Sequence, residues 1–183
     1  MRARDLPNLI TAFRFLLVPP VVWLLLNDRA AAALVVFGVA GASDGIDGYL
    51  AKRFNWSSHL GALLDPLADK LLLVCSFVTL GYLGWIPYWL VVLVILRDLV
   101  IVAGAVSYHY FIEQLIAEPS WASKLNTVAQ ILLVLAVMFT HGIRELPATW
   151  IDTLFYSVLL TTIWSGVGYI WTWGRRAWHK REP

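Results

Sequence analysis

The sequence predicts an all-α integral membrane protein with six transmembrane helices and a polar cleft at their cytoplasmic side. Three observations support this fold class. Hydrophobic residues make up 60% of the 183 residues and charged residues only 14%, which is far from the composition of a soluble domain. Six apolar runs come close to the roughly 20 residues that a helix needs to cross a bilayer. Ten tryptophans fit the aromatic belts found at membrane–water interfaces.

The six predicted spans follow one another with short polar links. They cover about 7–26, 30–51, 60–82, 86–110, 124–141 and 150–173. Pro19 and Pro20 are expected to kink or locally break the outer half of the first span, because proline lacks a backbone donor. The link at about 111–123 is expected to be a short interfacial segment. Since no soluble domain or internal repeat is visible, residues 1–183 are interpreted as a single membrane domain.

The basic residues predict how the chain is oriented in the membrane. They cluster at the N-terminus, in the links after the second and fourth spans, and in the tail: Arg2, Arg4, Lys52, Arg53, Lys124, Arg175, Arg176, Lys180 and Arg181. The opposite side carries only Arg29 and Arg144. Because short cytoplasmic loops are enriched in lysine and arginine, both termini are predicted to be cytoplasmic.

Four aspartates lie within or beside the second and third spans. Asp44 and Asp47 are three residues apart, and Asp65 and Asp69 are four apart, so each pair lies on one side of its helix. A polar link at about 53–58 lets the two helices fold back and face the pairs across one cleft. Neighbouring carboxylates repel one another unless a cation lies among them, and hard divalent metals take oxygen ligands. The cleft is therefore predicted to bind metal in the cytoplasmic half of the membrane.

Other ionisable residues within or near the spans are Arg14, Lys70, Arg97 and Asp98. A charge in a span is costly and indicates function by default. The alternative is a structural pair, such as Arg97 with a carboxylate, that holds the helices together. For Arg97 and Asp98 both interpretations remain open.

The aspartates belong to a longer pattern: Asp44-x-x-Asp47-Gly48-x-x-Ala51-Lys52, eight residues, then Gly61-x-x-x-Asp65-x-x-x-Asp69. This pattern resembles the signature of the CDP-alcohol phosphotransferase family at every spacing. Lys52 stands where the family usually has arginine, and lysine keeps the charge but lacks the planar fork. The resemblance covers nearly the whole chain, including the opening Leu6–Thr11 and Arg14.

The resemblance implies an enzyme that transfers a phosphatidyl-type group from a CDP-alcohol to a hydroxyl and releases CMP. It implies six core helices, a homodimer, and two magnesium or manganese ions held by the four aspartates. Asp69 would also be the general base. The implied residues that bind CDP-diacylglycerol are Asn8, Thr11, Gly48, Lys52, Ser58 and Gly61.

The acceptor alcohol is predicted from the fifth span. Ser123, Asn126, Thr127 and Gln130 fall on one helical stripe, which faces either a polar cavity or polar groups of another helix. This stripe, together with Arg97-Asp98, resembles the CMP-forming cardiolipin synthase branch, which implies phosphatidylglycerol as acceptor and cardiolipin as product. The implied acceptor-binding residues are Arg97, Ser123, Lys124, Asn126 and Gln130. Phosphatidylglycerophosphate synthases, which use glycerol 3-phosphate, are similar around Asp44–Lys70 and remain the alternative.

Two other function classes compete with a transferase. Intramembrane acids also occur in ion or proton transporters, although this chain shows no inverted repeat and its four aspartates lie near one interface. A catalytically silent membrane scaffold is the third class. The expected partners are lipids and a second copy of the chain, not nucleic acid, and the expected location is the inner membrane of a bacterium.

Overall fold

The computed structural model describes residues 6–54, 59–111 and 120–179, and the side chains of 12–43, 67–104, 120–169 and 171. The elements are α1 (Leu6–Leu26), α2 (Ala30–Phe54), α3 (His59–Tyr82), α4 (Tyr88–Phe111), α5 (Trp121–Gly142) and α6 (Ala148–His179). Within these ranges every regular element is helical, so the predicted all-α class is confirmed. Each helix overlaps one predicted span, and α6 continues beyond its predicted end at 173.

The chain forms two compact units. The first comprises Met1–Ile86 and Val134–Leu146, and the second comprises Pro87–Leu133 and Pro147–Pro183. The helix α5 is continuous, with its beginning in the second unit and its end in the first.

In the first unit, α1 packs against both α2 and α3. Its buried face repeats at helical spacing, through Arg14, Val18, Val21 and Leu25. Alanine, phenylalanine and leucine side chains complete this core on α2 and α3: Ala30, Ala33, Phe37, Ala40, Leu73, Phe77 and Leu80. Because α1 contacts both helices that carry the aspartate pattern, it is the element that supports them.

The two prolines of α1 do not interrupt it. The helix runs from Leu6 to Leu26 with Pro19 and Pro20 inside, so the predicted local break is wrong, whereas the kink expected as its alternative stays a prediction. Both proline rings are exposed, whereas Val18 and Val21 on either side are buried in the core. Packing of these neighbours against α2 and α3 outweighs the loss of two backbone donors.

The turn after α3 and the end of α5 pack closely against other parts of the first unit. Gly84 adopts a left-handed φ of 75°, which lets the chain turn so that Trp85 N donates to Leu80 O at 3.0 Å. The indole of Trp85 then stacks on the His141 ring, with centroids 4.0 Å apart and planes 10° apart. One residue later, Gly142 lies so close to the start of α2 that a Cβ would be 2.3 Å from Ala31 N.

In the second unit, α4 packs against α6. Its apolar core includes Leu90, Val91, Val94, Leu133 and Val158. Polar side chains are also buried here, namely Arg97, Asn126, Gln130, Thr162 and Ser165. They come from α4, α5 and α6, so each of these helices presents polar groups to the interior of the unit.

Large apolar side chains are exposed on all six helices. Leu16 of α1 is 70% exposed, and Leu160 of α6 is 66% exposed. Other examples are Val35, Leu67, Val78, Leu96, Leu99, Val128 and Val167. Among the described residues, α5 is the one helix long and apolar enough to cross a membrane, and Ala12–Leu26 and Ala30–Ser43 are shorter apolar helices.

Candidate active site

The aspartate pattern lies on two helices that both contact α1. Asp44 and Asp47 are positions of α2, one turn apart, and Asp65 and Asp69 are positions of α3, one turn apart. The helical periodicity assumed for the pattern is therefore present in the backbone. The side chains of Asp44, Asp47 and Asp65 lie outside the described residues.

Asp69 is held by an arginine from α1. The Arg14 guanidinium donates through Nη1 to Asp69 Oδ1 at 2.6 Å. The Arg14 side chain is 1% exposed and that of Asp69 is 46% exposed. A charge-assisted hydrogen bond of this length fixes the orientation of the carboxylate and leaves it accessible.

The sequence shows a charged residue at Arg14 within the first span but does not indicate which group pairs with it. The signal was the spacing of the α1 face, since Arg14 lies one turn before the buried Val18. An arginine on the buried stripe of a helix needs a counter-charge on whichever helix it faces. The sequence does not say which helix α1 faces, so the choice of Asp69 required the structure.

For the residues predicted to bind the cytidine diphosphate, the structure describes the backbone alone or, at one position, nothing. Asn8 and Thr11 belong to α1, Gly48 and Lys52 to α2, and Gly61 to α3. Their side chains, and the whole of Ser58, lie outside the described residues. Their roles stay predictions.

The metal site also stays a prediction. Among the side chains that the structure describes, no three histidine, cysteine, aspartate or glutamate residues come together as a metal-binding group. Asp69 is the described member of the predicted set, and its half-exposed carboxylate supplies the oxygen donor that a hard divalent cation prefers. The described part of the site is therefore compatible with magnesium or manganese.

A second polar cluster is centred on Arg97 of α4, which is 6% exposed. Its Nη1 donates to Asp98 Oδ1 at 2.6 Å. Its Nη2 donates to Ser123 Oγ of α5 at 2.8 Å and also to Ser165 Oγ of α6. One guanidinium thus links three helices of the second unit.

Two members of the polar stripe of α5 are buried in the second unit. Asn126 is fully buried, and its Oδ1 accepts hydrogen bonds from Thr161 Oγ1 at 3.0 Å and from Thr162 Oγ1 at 2.9 Å. Gln130, one turn further along α5, is 3% exposed. We refer to Arg97, Asp98, Ser123, Asn126, Gln130, Thr161, Thr162 and Ser165 as the α4–α6 polar cluster.

Two of the residues predicted on α5, one from the polar stripe and one from the acceptor-binding set, are exposed. Thr127 is exposed, and its hydroxyl donates to the Ser123 carbonyl at 3.1 Å. Lys124 is exposed as well, with its Nζ 5.2 Å from the centroid of the Trp121 ring. Ser123 therefore contacts Arg97, whereas Lys124 lies against an exposed indole.

The polar residues of α6 were missed by sequence analysis. Thr161, Ser165 and Tyr169 repeat every four residues in a mostly apolar helix, which is the same kind of stripe that singled out α5. Thr161 and Ser165 contact Asn126 and Arg97 respectively, and the Tyr169 hydroxyl accepts from Ser120 N at 3.3 Å. Applying the stripe criterion to the sixth span would have found them.

Three buried donors of the α4–α6 polar cluster have no hydrogen-bond partner among the described residues. They are Arg97 Nε, Asn126 Nδ2 and Gln130 Nε2. Each is an N–H group, so these three buried atoms can only donate hydrogen bonds to a ligand.

Comparison with known proteins adds independent information. A profile of the CDP-alcohol phosphatidyltransferase family matches residues 4–166. A cardiolipin synthase (CMP-forming)/mitochondrial hydrolase fusion protein of Schizosaccharomyces pombe is 37% identical over an alignment of 181 positions, gaps included, that covers 90% of this chain and 30% of that protein. A chloroplastic CDP-diacylglycerol–glycerol-3-phosphate 3-phosphatidyltransferase of Oryza sativa is 35% identical over an alignment of 187 positions that covers 92% of this chain and 56% of that protein.

The corresponding CDP-diacylglycerol–glycerol-3-phosphate 3-phosphatidyltransferase of Escherichia coli K12 is 30% identical over an alignment of 180 positions that covers 91% of this chain and 93% of that protein. The chain thus spans less than two thirds of the fission yeast and rice proteins and nearly all of the bacterial one. The family predicted from the aspartate pattern is confirmed: this chain belongs to the CDP-alcohol phosphatidyltransferase family of enzymes.

Proposed function

We propose that the chain transfers a phosphatidyl group from CDP-diacylglycerol to a hydroxyl of phosphatidylglycerol, giving cardiolipin and CMP. The family supplies the reaction type. The α4–α6 polar cluster carries the choice of acceptor, because it is a buried site in which Arg97 is already paired with Asp98. The similarity to a fission yeast protein named as a cardiolipin synthase supports the same choice.

The reaction forms one bond and breaks one. The acceptor's hydroxyl oxygen bonds to the phosphorus that carries diacylglycerol, and the bond from that phosphorus to the oxygen of CMP breaks. The hydroxyl proton passes to a carboxylate within hydrogen-bond reach, for which we propose Asp69. Arg14 supports this role because its Nη1 holds one carboxylate oxygen while Asp69 stays half exposed.

We assign the binding of two magnesium or manganese ions to Asp44, Asp47, Asp65 and Asp69. When bound, such ions neutralise the charge that develops on the attacking and leaving oxygens. The cytidine diphosphate is assigned to the residues given by the family pattern: Asn8, Thr11, Gly48, Lys52, Ser58 and Gly61. Lys52 supplies a point charge for a phosphate in place of a bidentate fork.

We assign the acceptor's polar head to Arg97, Ser123, Asn126 and Gln130. Their buried N–H groups suit the oxygens of a phosphodiester and a glycerol. Lys124 lies over Trp121, so its predicted part in acceptor binding stays a prediction.

We infer that all six helices cross the membrane, with both termini in the cytoplasm and a second copy of the chain as partner. The exposed apolar side chains on every helix support membrane insertion, since water-exposed patches of this extent are rare in soluble monomers. The buried polar side chains of the second unit agree with this, because polar groups in a bilayer face the protein interior. A bacterial inner membrane is the proposed location.

The alternative function is phosphatidylglycerophosphate synthesis from glycerol 3-phosphate. The similarity to the rice and Escherichia coli proteins, both named for that reaction, favours it. An arginine is also a good ligand for a phosphomonoester. Family membership favours either transferase over the transporter and scaffold hypotheses.

Product identification distinguishes the two acceptors. Purified protein in phosphatidylcholine nanodiscs is supplied with magnesium, CDP-diacylglycerol labelled in an acyl chain, and either phosphatidylglycerol or glycerol 3-phosphate. We expect labelled cardiolipin and one CMP per product. Labelled phosphatidylglycerophosphate, with no cardiolipin, would replace the proposed acceptor, and release of no CMP with either would overturn the proposed function.

A further inference from the structure

We infer that Asp98 is a specificity-determining residue that makes the α4–α6 polar cluster select an acceptor head with a single negative charge. This inference rests on the proposed function, because it concerns how the acceptor is chosen. Three steps lead to it: the hydrogen-bonding capacity left in the cluster, its charge, and the way its arginine is held.

The unpaired hydrogen-bond donors of the cluster suit an oxygen-rich ligand. Arg97 Nε, Asn126 Nδ2 and Gln130 Nε2 are buried N–H donors without a partner among the described residues. The Asn126 oxygen is already occupied by the two threonine hydroxyls of α6. A buried donor left unsatisfied destabilises the protein, so a ligand that offers several acceptor oxygens is favoured.

The charge of the cluster limits which oxygen-rich ligand is suitable. Arg97 is the cationic member, and Asp98 lies against it with Oδ1 2.6 Å from Nη1. The two side chains are 5% and 15% exposed, so the pair is poorly screened by water. The net charge of the pair is zero, and any anion bound beside it also experiences the Asp98 carboxylate.

Phosphodiesters and phosphomonoesters differ in their own net charge at neutral pH. A phosphodiester such as the head of phosphatidylglycerol carries one negative charge, whereas a phosphomonoester carries about −1.5 to −2 at pH 7. The second charge of the monoester is attracted by Arg97 but repelled by Asp98, so the carboxylate reduces the affinity for a dianion that the guanidinium alone would give. For charges about 10 Å apart at an effective dielectric constant of about 20, this repulsion corresponds to roughly tenfold in affinity.

The guanidinium of Arg97 is held in place by three side chains. Its Nη2 donates to both Ser123 and Ser165, from two different helices, while Nη1 is held by Asp98. The guanidinium therefore has N–H groups left for a ligand only at Nε and at the second hydrogen of Nη1, and Nη2 would have to break its existing bonds to take part in a bidentate pair. A dianion gains most from a bidentate arginine, so this arrangement disfavours it further.

The test compares initial rates with competing acceptors at matched CDP-diacylglycerol and magnesium. The ratio of kcat/KM for phosphatidylglycerol to kcat/KM for glycerol 3-phosphate is measured for the parental protein, Asp98→Asn, Asp98→Glu and Ser165→Ala. Glycerophosphoglycerol, the head of phosphatidylglycerol without acyl chains, is measured as a third acceptor, because it separates head-group charge from acyl-chain binding.

We expect Asp98→Asn to lower the ratio about tenfold, and Asp98→Glu to keep it near the parental value. Ser165→Ala is the matched control, because it removes a hydrogen bond to Arg97 without changing charge. It should lower the rates with both acceptors and leave their ratio unchanged. An unchanged ratio in Asp98→Asn, or an equal shift in Ser165→Ala, would overturn the inference.

Failure of the inference and failure of the proposed function give different results. The lipid product of the parental protein tests the function, and the change of ratio on substitution tests Asp98. If Asp98→Asn does not yield folded protein, the parental protein decides by its use of the two soluble acceptors. A preference for glycerophosphoglycerol over glycerol 3-phosphate supports the inference, and the opposite preference overturns it.

Discussion

Arg14 reaches from α1 to Asp69 of α3, with Nη1 2.6 Å from Oδ1. The guanidinium is almost completely buried, whereas the carboxylate is about half exposed. Asp69 therefore compensates part of the charge of the buried arginine, and Arg14 helps to orient the carboxylate of Asp69. At this scale the proposed base is positioned by a residue outside the aspartate pattern.

Replacement of Arg14 tests that positioning. Arg14→Met leaves Asp69 without this guanidinium and is expected to lower stability by about 1–3 kcal/mol, less than for a fully buried pair because Asp69 is half exposed. Misplacement of the carboxylate should lower kcat by about 100-fold, and Arg14→Lys should recover part of both losses. Thermal unfolding and CMP release are measured together. Arg29→Met, at an exposed arginine, is the control, and a parental kcat for Arg14→Met would contradict the assigned role.

Asp69→Asn separates proton transfer from ligand binding. The amide keeps an oxygen that can accept from Arg14 but cannot take up the acceptor's proton, so turnover should fall by about 10²–10⁴-fold. Binding of CDP-diacylglycerol with metal should remain. Asp44→Asn and Asp65→Asn should weaken metal-dependent donor binding as well as turnover. If Asp69→Asn lost donor binding as severely as Asp44→Asn, its role would be that of a metal ligand alone.

At the scale of the helices, periodicity and span length predicted the six elements well. The apolar runs predicted the positions of the helices because each run is long enough to form many backbone hydrogen bonds before the next polar link. The predicted break at Pro19 and Pro20 was wrong because local propensity was overridden by packing of Val18 and Val21. The partners of Arg14 and Arg97 were not predictable, since they depend on which helix faces which.

The contact between the end of α5 and the start of α2 gives a prediction for one helix pair. Gly142→Ala places a Cβ within 2.7 Å of backbone atoms of both Ala30 and Ala31, which no side-chain rearrangement can relieve. We expect a loss of about 1–3 kcal/mol, measured as a lower unfolding midpoint in detergent. Gly38→Ala is the matched control on α2, because its Cβ meets nothing within 4 Å. It should be neutral or stabilising by up to about 1 kcal/mol, and equal midpoints for the two variants would contradict the close approach.

At the scale of the whole molecule, polar side chains such as Arg97, Asn126 and Gln130 are buried in the second unit, and each of the six helices exposes some large apolar side chains. This amount of exposed apolar surface is unusual for a soluble protein and suits the proposed lipid substrates, which carry acyl chains. The sequence predicted this character from composition, and it predicted the family from the aspartate spacing. Of the α4–α6 polar cluster, the sequence singled out the α4 and α5 residues but not the α6 hydroxyls that contact them, and the role of the cluster in acceptor binding stays a proposal.

The central claim is that this chain catalyses metal-dependent transfer from CDP-diacylglycerol to a lipid hydroxyl. The most direct measurement is CMP release by purified protein with phosphatidylglycerol present, before chelation, after exhaustive metal removal, and after return of magnesium or manganese. We predict that release stops on chelation, returns with either metal, and requires the acceptor. An undiminished rate after metal removal, or no CMP release under any of these conditions, would contradict the account.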